Sequence, residues 1–229
     1  MMDKVNQQSK RPRSYGQFCA LARSLDIVGE RWTLLIVREL LPGPMHYTQL
    51  KTSLKGIATN LLAERLRTME ANGIVERRLE DSGVAYALTS WGMGLREPME
   101  ALGQWGAPLL ATGRGDDAFQ PRWLTLALPA LLAGATVSSP VELGIDTDGF
   151  LMVLRVDEDG PSAFVRPDDE PETVLTAAPD IIVALAAGGI SIEQALAVGE
   201  FRGDSDVLQT VFAAGDASAA PPIPPTTGD

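Results

Sequence analysis

Between residues 29 and 83 the chain is punctuated so closely that only short elements fit: Gly29, Pro42-Gly43-Pro44, Gly56, Gly73 and Asp81-Ser82-Gly83. Glycine and proline clusters end helices and make turns, so each stretch between them must be a brief helix or strand. Phe18, Leu21, Ala22, Leu25 and Val28 recur at three- and four-residue steps and predict a first helix from Tyr15. Trp32, Leu35, Ile36, Glu39 and Leu40 predict a second, residues 47–54 a short third, and residues 58–72 a fourth with Leu62, Leu66 and Met69 on one face. Residues 74–80 and 84–89 read as strands of a hairpin. Residues 91–110 are helical again, with Leu95, Met99, Leu102 and Trp105 as a stripe that Pro98 must kink or interrupt.

Charge divides the chain in two. Residues 1–110 hold 14 Lys and Arg against 11 Asp and Glu, and the remainder holds five against 19, which together give the net −11. The basic half is the candidate partner of a polyanion, while the acidic half favours solubility and limits non-specific binding to DNA. Residues 111–120, ATGRGDDAFQ, read as a linker, their Arg-Gly-Asp triplet included. Beyond them an apolar helix is predicted at 123–135, strands at 141–145, 150–156, 163–166 and 173–177, and helices at 178–187, 192–198 and 206–214. The division is therefore a disordered arm (1–14), a first domain (15–110), the linker (111–120), a second domain (121–216) and a disordered Pro-rich tail (217–229).

Several chemistries are disfavoured. A single cysteine, Cys19, excludes an intrachain disulfide and a cysteine-cluster zinc site, and a single histidine, His46, argues against Ser-His-Asp catalysis. Neither an enzyme nor a metal or other cofactor is expected, and His46 is assigned to phosphate or solvent. The polar, basic start of the chain does not read as a signal peptide, and the longest apolar run is too short to span a bilayer, so no membrane partner and a cytoplasmic location are expected.

Short helix, tight turn, longer helix, hairpin is the order of a winged helix-turn-helix, whose second motif helix enters the major groove of double-stranded DNA. At 100° per residue, Asn60, Glu64 and Arg67 fall roughly 140–200° from the buried Leu62, so they point outward with Ala63 beside them. Asn can read adenine and Arg guanine, while Glu64 is expected to be neutral or to read a cytosine. Thr59 at the helix start suits a phosphate, and Thr48 and Lys55 from the preceding helix and turn complete the face. Arg65 falls near the edge of the core and is expected in an internal ion pair. The hairpin tip, Glu80-Asp81-Ser82-Gly83, is acidic and would be repelled by the minor groove, which leaves phosphate contact to Arg77 and Arg78 at the strand base.

These residues carry a resemblance. Cys19, then Gly29-Glu30-Arg31-Trp32, Leu34-Leu35-Ile36, Arg38-Glu39-Leu40, Gly43-Pro44, Tyr47-Thr48-Gln49-Leu50 and Leu62-Ala63-Glu64-Arg65-Leu66 stand in the order and spacing of the HxlR family of bacterial winged-helix regulators. The resemblance covers about residues 15–110 and implies a homodimer on a palindromic operator, joined through the first and last helices, with Met99 and Trp105 as interface candidates. Where family members often carry Ser, this chain has Ala58, so a helix cap is expected to be missing or supplied by Thr59. Some family members sense oxidants or electrophiles at an upstream cysteine. Cys19, flanked by Phe18 and Leu21, is nonetheless expected to be buried and inert, with thiol sensing as the alternative.

The stretches VELGIDTDGFLMVLRVDEDG and PDIIVALAAGGISIEQALAVGEFRGDSDVLQTVFAA are similar to the sterol-carrier-protein fold in its bacterial form. This looser resemblance implies a small α/β domain with an apolar tunnel, for which Leu124, Leu128, Leu131, Leu132, Ile181 and Leu185 are wall candidates. The fold class expected is thus mainly α with a β wing, plus a second α/β, sterol-carrier-like domain. The function expected is transcriptional regulation in response to a hydrophobic small molecule, ahead of thiol sensing and of a lipid-handling protein or enzyme.

Overall fold

The computed structural model describes residues 14–112, 114–165 and 171–213. The arm up to residue 13, the tail 217–229 and the ends of two predicted elements, Arg166 and Ala214, lie outside them. The order of the first elements is α1 (Ala20–Val28), α2 (Thr33–Leu40), β1 (Met45–His46), α3 (Tyr47–Ser53), α4 (Thr59–Ala71), β2 (Val75–Glu80), β3 (Gly83–Leu88), α5 (Ser90–Met93) and α6 (Arg96–Gly106). This is a winged helix-turn-helix. Ile36, Val37, Leu40, Leu50, Leu54, Leu62, Leu66, Met69 and Ile74 are buried together as its core. The wing is a three-stranded antiparallel sheet in the order β1-β3-β2.

Local chemistry explains the stops. After α4 the chain turns at Gly73, whose φ of +72° only glycine adopts freely. The Ile74 amide donates to the Met69 carbonyl and the Gly73 amide to that of Glu70, which closes a Schellman cap over buried Ile74 and Met69. The helix predicted over 91–110 is broken. Thr89 caps α5, α6 starts at Arg96, and Ala107–Thr112 continues as a 3-10 helix. Pro98 lies in the first turn of α6, where a missing amide costs no helical bond. Gly92 is buried against the Ile74 carbonyl, where a Cβ would sit 2.1 Å from that oxygen.

A 3-10 turn, Pro121–Trp123, leads into α7 (Leu124–Leu131), shorter than predicted. Then follow β4 (Val141–Thr147), β5 (Phe150–Asp157), β6 (Gly160–Phe164), β7 (Val174–Thr176), α8 (Pro179–Ala186), α9 (Ile192–Leu196), β8 (Glu200–Arg202) and α10 (Ser205–Ala213). The strands form a mixed five-stranded sheet, β6-β5-β4-β7-β8, in which only β4 and β7 run parallel. Its core gathers Leu143, Ile145, Met152, Leu154, Leu175, Ile182, Leu208 and Val211 with Leu124, Leu128 and Leu132 of α7. Leu126, on the same helix, packs instead against the core of the winged helix.

Candidate nucleic-acid interface

The candidate recognition element is α4. Its buried face, Leu62, Leu66 and Met69, holds it to the core, and Tyr47 fixes its start by donating from its hydroxyl to the Thr59 carbonyl at 2.8 Å. Ala58 occupies the N-cap position and no side chain caps the helix, so amides of the first turn remain to meet an anion. Thr59, Asn60, Glu64 and Arg67 are exposed along the outer face and Ala63 is half-buried beside them. Arg67 folds back on its own helix, its Nε donating to the Ala63 carbonyl at 3.2 Å. Thr48 and Lys55 are exposed on the preceding helix and turn. Lys51, to which no sequence pattern assigns a role, reaches the Ile57 carbonyl and pins that turn.

Arg65 points the other way, pairing with Glu30 at 2.6 Å, as its phase required. Arg77 and Arg78 are exposed on β2 but already carry acidic neighbours, Glu70 and Glu76, each at 2.8 Å. Exposed pairs of this kind are worth under about 1 kcal/mol, so a phosphate competes with them easily. Glu70 holds the Arg77 guanidinium still more firmly in its charged form.

His46 is placed differently from the expectation. Rather than facing phosphate or solvent, its Nδ1 lies 3.0 Å from the Val84 carbonyl and its Nε2 2.8 Å from the Ser82 hydroxyl. The cause is β1, a two-residue strand with no periodicity to reveal it, whose pairing of His46 with Ala85 brings the ring under the wing tip. Cys19 also departs from the expectation: it is exposed, at the N-cap of α1. Only Ala22 of α1 is buried, so the flanking Phe18 and Leu21 face outward and give Cys19 no cover.

In the C-terminal region, Leu124, Leu128, Leu132 and Leu185 are buried in the closed core, and Leu131 and Ile181 are half-buried against it. Leu185 borders an open surface depression of about 470 Å³, lined also by Gly188, Gly189, Ile190, Ser191, Ile192, Gln194 and Phe212. Among the described residues no group of His, Cys, Asp and Glu is arranged to hold a metal, and no helix is long and apolar enough to cross a membrane.

Sequence reasoning missed a buried polar cluster where the two halves meet. Glu39 of α2 is fully buried, its Oε1 accepting from Trp123 Nε1 at 2.7 Å and from Arg38 at 2.9 Å. The Arg38 guanidinium lies 3.7 Å from the centre of the Trp123 ring, and Arg122 approaches Glu39 to 3.8 Å. Burial pulls both arginines below the usual guanidinium range, while Glu39 opposes the shift. The only sequence signal was a Glu on the apolar stripe of α2, which identifies no partner.

The sequence of the winged-helix region is shared with known proteins. A family model described as HxlR-like helix-turn-helix matches residues 27–113. An HTH-type transcriptional regulator of Synechocystis is 31% identical over 98 residues, 42% of this chain and 73% of the relative. The HTH-type transcriptional regulator YodB of Bacillus subtilis is 32% identical over 85 residues, 36% of this chain and 76% of its own. A crystal structure of quinone-bound YodB, at 31% identity, spans 38% of this chain and 94% of that one with a TM-score of 0.35. The chain belongs to the HxlR-like helix-turn-helix family, and its N-terminal half is the DNA-binding region of a transcriptional regulator.

Proposed function

We propose that the protein binds a palindromic operator as a homodimer and responds to a hydrophobic small molecule taken up by its C-terminal domain. The observation that carries the DNA reading is the outer face of α4: Asn60, Glu64 and Arg67 exposed in line behind an uncapped helix start at Thr59. Thr48, Lys55, Arg77 and Arg78 are assigned to phosphate and Ala63 to close approach. Dimerisation is supported by apolar side chains exposed just before α1 (Phe18), on α1 (Leu21) and on α6 (Leu102 and Trp105). Met99 is buried within the subunit and supports the core rather than that face. The domain division is proposed as 15–110, 111–120 and 121–216, with a sterol-carrier-like second domain. The effector reading draws on the depression beside Leu185, whose volume is within the range of about 300–1,000 Å³ common for ligand sites.

A second reading has its own observation. Cys19 is exposed, as a reactive thiol must be, and a relative, YodB, has been crystallised with a quinone. Thiol sensing at Cys19 is therefore the alternative mode of regulation.

The test is selection of duplexes from a random pool by the whole chain, followed by native mass spectrometry of protein and complex. Palindromic duplexes bound by two chains, with an apolar molecule co-purifying and lowering or raising affinity, are expected. Binding of one chain to a non-palindromic site overturns the dimer reading. A response to quinone that Cys19→Ser abolishes transfers regulation to the thiol.

A further inference from the structure

The contact between the winged helix and the C-terminal region is built unlike a flexible linkage. On one side, Glu39 holds Trp123 and Arg38, and Phe119 closes over Trp123 edge-on at 5.9 Å. On the other, α7 contains Pro129, which has no amide to offer the Thr125 carbonyl one turn earlier. Arg96 of α6 donates to that carbonyl at 3.3 Å, and it also reaches the carbonyls of Leu41 at the end of α2 and Ala163 in β6, each at 3.5 Å. A guanidinium from the winged helix thus replaces a helical hydrogen bond in the other half. Along the same seam, Gly103 of α6 lies against Ala130 of α7, where a Cβ at 103 would stand 3.5 Å from that methyl.

One contact in the seam is open. Glu39 Oε2 and Arg122 Nε are buried, make no hydrogen bond among the described residues, and stand 3.8 Å apart. A charged hydrogen bond closes at about 2.8 Å. A slide of roughly one ångström in the Pro121–Trp123 turn would therefore satisfy both atoms. A buried charge pair adds little net stability, because desolvation offsets the attraction.

We infer that Glu39 is the positioning residue of a buried polar joint that unites the C-terminal region with α2 and α6 as a single body, so that a displacement of that region is carried to the DNA-binding helices. The inference goes beyond the ligand reading and stands whatever the C-terminal region binds. Coupling follows from packing: α2 contributes Ile36, Val37 and Leu40 to the cluster that also holds Leu50 of α3 and Leu62 and Leu66 of α4. The joint grips the end of α2 twice, through Glu39 and through the Leu41 carbonyl.

The experiment uses the whole chain. Glu39→Gln keeps the volume and an acceptor for Trp123 but takes the carboxylate from two half-buried guanidinium groups. Pro129→Ala returns an amide that competes with Arg96 for the Thr125 carbonyl and leaves α7 helical. Arg122→Gln removes only the open contact. Calorimetry of the unsubstituted chain is expected to show one unfolding transition, and Glu39→Gln and Pro129→Ala two. Hydrogen exchange in residues 33–41 and 119–126 is expected to rise at least tenfold in both variants. Arg122→Gln is expected to keep one transition. Affinity for a duplex selected by the unsubstituted chain should change at least threefold in the two-transition variants. A single transition with unchanged exchange in Glu39→Gln and Pro129→Ala overturns the joint, and two transitions with unchanged affinity overturn the transmission. If Glu39→Gln does not fold, Trp123→Phe, which loses one donor, takes its place under the same criteria.

Discussion

The Arg65 guanidinium lies 2.6 Å from the Glu30 carboxylate and donates from Nε to the Arg31 carbonyl, tying α4 to the corner between α1 and α2. That corner carries Trp32 at a φ of +79°, a left-handed backbone that costs a non-glycine residue about 1–2 kcal/mol. With Arg65 turned inward, Asn60, Glu64 and Arg67 remain exposed on α4 as the face proposed to read bases.

From that face, Asn60→Ala and Arg67→Ala are each expected to weaken binding to a selected duplex by about 1–3 kcal/mol and to relax preference at one base position. Gel shifts on selected and scrambled duplexes decide the matter. Equal losses on both would reduce the two residues to phosphate contacts.

The affinity of the whole chain is expected to fall steeply with salt despite its net charge of −11. Each phosphate neutralised adds about −0.9 to the slope of log K against log salt. Lys55→Ala should flatten that slope by about one unit, measured by fluorescence anisotropy. An unchanged slope would remove Lys55 from the interface.

Trp105 is 71% exposed on α6, and with Leu102 and Phe18 it gives the proposed dimer face its apolar area. Trp105→Glu should leave the fold intact by circular dichroism and give monomers in sedimentation velocity at micromolar concentration. A dimer of unchanged stability would place the interface elsewhere.

His46 holds the wing tip through Ser82 and Val84. His46→Ala is expected to cost about 1 kcal/mol, because the partners it releases are reached by water. Amide exchange at Gly83 and Val84 should quicken while that of Leu62 and Leu66 does not. Equal protection in both forms would show that β2–β3 pairing alone positions the wing.

Glu100 of α6 is pushed above the usual carboxylate range by burial, which the neighbouring Arg96 only partly offsets. A carboxyl raised in the folded state favours folding at pH below its unfolded value, about 4.3, and loses that contribution as pH rises through the folded value. Glu100→Gln should therefore melt higher than the unsubstituted chain at pH 7, with the gap closing towards pH 4. A gap that widens on acidification would reverse the sign and show Arg96 to be the stronger influence.

The sequence by itself determined the winged helix, because its signals are local. Gly73 caps α4 through its own backbone, Pro42-Gly43-Pro44 cannot continue a helix, and the phase of Leu62, Leu66 and Met69 sets which side of α4 faces out. The same phase put Arg65 inward. What the tertiary structure decided is whatever depends on a partner far along the chain. The short strands β1 and β8 exist because β3 and β7 lie beside them, and two or three residues carry no period of their own. Apolar neighbours implied burial of Cys19, yet direction rather than composition decides burial, and that side of α1 has no cover among the described residues. Glu39 looked like one polar residue on an apolar stripe. Its indole partner stands 84 residues away, so only folding could show that this carboxylate joins the two halves of the molecule.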